Sequence, residues 1–126
     1  MKSFITAMII FFLLIFFGIA FNNCLNDVSE NLIENAEKIS GFIEDGKFDQ
    51  AGDGAEKLSR YIDEKKPLLS SILDHGNIDE IEKEISGLLA YSEQTDKINA
   101  AASVKKLKHM FEHLPENYVL ELQNIL

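Results

Sequence analysis

The chain has 126 residues, 12 of them basic and 21 acidic, for a net charge of −9, which is room for one domain. That balance excludes a nucleic-acid binder, whose phosphates need a basic footprint, and works equally against electrostatic docking on anionic lipid. The single cysteine, Cys24, excludes an intramolecular disulfide and leaves pairing with a second chain open.

The first stretch, Phe4 to Phe21, reads FITAMIIFFLLIFFGIAF; its 18 residues carry no charge, and Thr6 is the only clearly polar one. As a helix it is roughly 27 Å long, enough for the hydrocarbon core of a bilayer. Lys2 is the only charge before it, and Asp27 and Glu30 follow it. This asymmetry fits a cytoplasmic amino terminus. A cleaved signal is the alternative, with Phe4 to Phe17 as its apolar region and Gly18-Ile19-Ala20 as a small-x-small cleavage site. The uninterrupted run through Phe21 and the single lysine before it favour an uncleaved anchor. Phe21-Asn22-Asn23 are too bulky and amide-rich for lipidation at Cys24. The expected division is an anchor over residues 1–23, touching the bilayer through 4–21, and an extracytoplasmic domain over 24–126.

Leu25, Val28, Leu32, Ala36, Ile39 and Ile43 form one apolar stripe at helical period, so the anchor is expected to run on into the first helix of the domain. Asp45-Gly46 ends it, glycine taking the left-handed cap cheaply. A second stripe runs Phe48, Ala51, Ala55, Leu58 and Ile62, then Leu69 and Ile72 in phase across Pro67, which predicts one kinked helix. Gly52 and Gly54 weaken its start, and Asp53 with Glu56 resembles an N-cap and its partner, so the firm start is expected at Asp53.

Gly76 is expected to close this helix and Asn77 to cap a third, with Glu80 at the third helical position. Its stripe is Ile78, Ile81, Ile85 and Leu88, supported by Leu89, with Asp79, Glu80 and Glu82 crowding its first turn. Thr95 or Asp96 caps a fourth helix. That helix buries Ala100, Val104, Leu107, Phe111 and Leu114, ends at Pro115, and places Lys105, Lys106 and Lys108 toward its carboxyl end. Glu116 to Leu126 reads as a short helix. The fold expected is all-α: a transmembrane helix running into a small antiparallel helical-hairpin bundle.

His109-Met110-Phe111-Glu112-His113 matches the H-x-x-E-H pattern, in which two histidines one turn apart hold a metal and Glu112 serves as base. Phe111 and Leu114 belong to the core stripe, no third ligand is marked, and two surface histidines near a helix end account for the pattern. Asp49, Asp53 and Gly54 imitate part of a calcium loop, but Ala51 and Arg60 stand at required ligand positions, which rules it out. His75 beside Asp74 reads as part of an interhelical turn, with a pH-sensitive contact as the sharper reading. Gly46 to Ala51 looks like the start of the second helix of a tetratricopeptide repeat, with no clear second copy.

The opening Met1-Lys2-Ser3-Phe4, the helix start Gly46 to Ala51, the middle residues Tyr61, Lys65, Leu68, Leu69, Asp74, His75, Asp79 and Ile81, and the ending Asn124-Ile125-Leu126 together resemble a known family. It comprises short, uncharacterised, membrane-anchored proteins of Gram-positive, often spore-forming bacteria, and is defined as a domain of unknown function. The resemblance implies an envelope location and a helical domain, and supplies no reaction. The function expected is therefore a non-catalytic interaction module of the cell envelope, without cofactor or bound metal, docking another envelope protein. Tyr61, Lys65, Asp74, His75 and Asp79 are its candidate interaction or structural residues. A ligand-binding or sensory domain is the alternative, and a metal-dependent hydrolase using His109, Glu112 and His113 the remote one.

Overall fold

The computed structural model describes residues 1–114, and these fold as four helices: α1 (Lys2–Glu44), α2 (Phe48–Ser70), α3 (His75–Glu93) and α4 (Lys97–Glu112). α1 runs unbroken for 43 residues. From residue 2 to 20 every side chain is exposed, and then the stripe Leu25, Val28, Leu32, Ala36, Ile39 and Ile43 is buried. The apolar stretch and the first bundle helix are thus one helix, as the phase of the stripe predicts.

α1 stops where expected, at Gly46 with φ +75°. The Lys47 N–H donates to the Phe42 carbonyl at 2.8 Å and the Gly46 N–H to that of Ile43 at 3.1 Å, the paired bonds of a Schellman cap. Each helix then packs on its sequence neighbours, and α4 closes the ring on α1. The result is an up-down-up-down four-helix bundle. Its core takes Ala51, Ala55, Leu58, Ile62 and Leu69 from α2, Ile78, Ile81, Ile85 and Leu88 from α3, and Ala100, Val104, Leu107 and Phe111 from α4.

Three boundaries differ from expectation. α2 begins at Phe48, not Asp53, because the Ala51 N–H already reaches the Lys47 carbonyl at 3.0 Å. The glycines do not delay it. At Gly54 α1 and α2 approach closely: the Cβ it lacks would stand 2.8 Å from Ile39 Cγ1. α2 also carries through Pro67 as one helix but ends at Ser70, so Ile72 is buried in the following turn with Leu73. Finally, α3 starts two residues before Asn77. Its cap is Asp74, whose carboxylate accepts from the Asn77 N–H at 2.8 Å. Gly76 lies inside the first turn, and Asp79, Glu80 and Glu82 follow that turn instead of forming it. Asp96, the second of the two expected candidates, caps α4 by accepting from Asn99. Pro115 and the segment Glu116 to Leu126 lie outside the described residues.

Polar contacts tie the ring shut at the carbonyls of helix ends, which the helix itself leaves short of donors. The buried Ser29 hydroxyl donates to the Phe111 carbonyl at 3.1 Å, joining α1 to the last turn of α4. At the other end, Lys97 Nζ donates to the Glu44 carbonyl at 3.2 Å. Gly54→Val tests the close crossing. It should cost about 1–3 kcal/mol in urea unfolding of the detergent-solubilised chain, as overpacked cores do, and Ile39→Ala in the same chain should recover part of that loss.

Candidate interaction surface

The residues singled out from the sequence fall into two groups. Tyr61 and Lys65 lie one turn apart on α2. The half-buried Tyr61 packs against the core, its hydroxyl accepts from Asn31 Nδ2 of α1 at 3.2 Å, and Lys65 Nζ stands 5.8 Å from its ring centre. This is a brace between the first two helices, with a cation over an aromatic face. Asp74, His75 and Asp79 lie at the α2–α3 turn, all exposed, Asp74 as the cap. The structure does not join the two groups into one pocket.

His109 and His113 stand side by side, ring centres 4.4 Å apart and nearly perpendicular. Both line a cavity of about 300 Å³ between α3 and α4, walled by Leu73, Asn77, Glu80, Ile81, Lys106 and Met110. Glu112 is not among its walls. Glu80, the carboxylate nearest the part of a third ligand, is held by the Lys106 ammonium at 3.4 Å. Among the described residues no group of three or more His, Cys, Asp or Glu is placed to hold a metal.

The lysines of α4 act across helices. Lys106 spans Glu80 and Glu84, each at 3.4 Å, Ser103 donates to Glu84 at 2.7 Å, and Lys108 meets Glu37 of α1 at 3.2 Å. Lys66 of α2 bonds Glu82 of α3 at 3.0 Å. Hydrogen bonds to these carboxylates raise the Lys66 and Lys106 pKa values above the ordinary 10.5. What the pairs contribute is therefore complete below that pH and fades as pH rises through the raised values; exposure and salt keep it small.

The α2–α3 face toward the α3–α4 turn is different. An open groove of about 320 Å³ is lined by Asp49, Asp53 and Glu56 of α2 and Glu93 of α3, with Phe48 and Leu89 as its apolar walls. None of the four carboxylates forms an ion pair among the described residues. Ser92 also lines it, 3% exposed, its hydroxyl without a hydrogen-bond partner among the described residues. Buried polar groups are nearly always partnered, so an orphan among unpaired carboxylates marks the groove out from the rest of the surface. Sequence reading passed over it. The spacing of Asp49, Asp53 and Glu56 put them on one helical face, but Glu93 joins them only through the α2–α3 pairing.

Residues 19–125 match the family described as Domain of unknown function (DUF4363). The chain belongs to this family. The match takes in the last turn of the apolar stretch and the whole described bundle. No curated protein and no solved structure matches the chain at a significant level.

The structural reading of Asp74 has a direct check. Asp74→Ala should lower stability by about 1 kcal/mol through loss of the cap, whereas Asp74→Asn, which keeps the accepting oxygen, should leave the thermal melt close to that of the parent.

Proposed function

We propose that this DUF4363 protein is a single-pass membrane protein, amino terminus in the cytoplasm, which displays its bundle outside the membrane as a non-catalytic module for docking another envelope protein. The observation that carries the proposal is α1 itself. One half is apolar on every side and wholly exposed, while the other half is a core helix of the bundle. An apolar surface that large needs a nonaqueous neighbour, and a helix apolar all round is suited to lipid. Lys2 before the span, with no lysine or arginine after it until Lys38, supports the orientation.

The docking part rests on charge. The unpaired carboxylates of the α2–α3 groove favour a partner segment bearing lysine or arginine, with the groove's apolar walls receiving its aliphatic stems. A second reading, a small-ligand sensor, draws on the cavity beside His109 and His113. Thermal melts against metal ions and small molecules at several pH values would reveal it as stabilisation.

Cys24 is the only cysteine and is exposed, so a membrane-impermeant maleimide applied to intact cells reports topology. A labelled band in the membrane pellet is expected. Label in the medium would mean cleavage, and label only after lysis would mean a thiol shielded at the membrane surface or an inward-facing domain. Photocrosslinkers placed at Asp53 and Glu93 should capture the same partner, and that capture should fall several-fold in an Asp49→Asn, Glu56→Gln chain. No adduct above background from either wall would sink the docking role.

A further inference from the structure

One hydrogen bond and one close approach set the register of α2 against α1. α1 and α2 run antiparallel, with Ile39 level with Gly54 and Asn31 level with Tyr61. Counting nine residues from the second contact, roughly 13 Å along each helix, brings Ser70 level with Asn22. Asn22 is the first residue after the apolar run. Phe21, the last of that run, is half-buried and packs against the bundle core. α1 continues from span to bundle with no break in which a linker could lift the domain away.

We infer that the α2–α3 turn, from Ser70 to His75, sits within the phospholipid headgroup layer and forms a second membrane contact beside the span. The inference rests on the membrane reading above. Polar headgroups begin where the hydrocarbon ends and reach about 5–7 Å beyond it; Ser70, level with Asn22, stands at the inner edge of that layer. Its chemistry suits the layer: Ser70, Ser71, Asp74 and His75 are exposed, and Ile72 and Leu73 turn inward to the core. The contact is set by the rigidity of α1 and by register, so it needs no basic patch and holds on zwitterionic lipid. The α3–α4 turn at Gln94, together with the acidic groove, faces away from the membrane.

Single-cysteine chains made in a Cys24→Ser background, carrying Ser71→Cys, Gln94→Cys or Leu13→Cys, would each bear one fluorophore in phosphatidylcholine nanodiscs. A lipid with a quencher on its headgroup should quench the Ser71 probe several-fold more than the Gln94 probe. A lipid with its quencher in the acyl chain should quench the Leu13 probe. Equal, weak headgroup quenching at Ser71 and Gln94, with Leu13 quenched, would overturn the contact and leave the span standing. An unquenched Leu13 would overturn the span and the contact together.

Discussion

The structure depends on α1 being one helix with two kinds of surface. Over its first half the side chains are apolar in every direction, so no rotation of the helix could hide them from water. Over its second half the apolar residues narrow to the stripe from Leu25 to Ile43, which only a bundle can cover. Because α1 runs through the change without a break, the direction of the bundle follows from that of the apolar half. The other helices are placed by reference to this stripe, α2 on one flank and α4 on the other, with α3 completing the ring.

Most of that architecture was legible in the residues. The four stripes predict the buried side chains almost one for one, since a helical period of apolar residues has no other economical use in water. Boundaries were less legible, and for a physical reason. In Asp74-His75-Gly76-Asn77 both Asp74 and Asn77 are good caps and Gly76 is a good stop, so local preference leaves the choice open. Tertiary packing decides it: Ile72 and Leu73 turn into the core, the chain reverses before Gly76, and Asp74 becomes the cap. Gly54 misleads in the opposite sense. Its helix penalty is real, yet the position is chosen for the absent side chain that lets Ile39 approach.

The electrostatics of the surface divide by face, which the net charge conceals. Where α4 meets α3 and α1, acidic residues are matched by Lys106 and Lys108. Where α2 meets α3 toward the Gln94 turn, Asp49, Asp53, Glu56 and Glu93 have no such match. The pairs on the first face are exposed and contribute little to stability; the groove differs in gathering four unmatched carboxylates at one place. The candidate site was hidden from the sequence for this reason. An acidic residue on a helix reads the same whether its neighbour across the interface is a lysine or another acid.

Closure of the ring by α4 has a consequence in time. Ser29 and Phe111 are 82 positions apart in the chain, so the first core face to be synthesised receives its last covering only when the fourth helix exists. Local hairpins can form early, but the α4–α1 seam must wait for the longest loop to close. Until then Leu25, Leu32 and their neighbours on one flank of α1 remain wettable. The growing chain is at its stickiest just before α4 docks, and the final turn of α4 acts as the latch that ends that exposure.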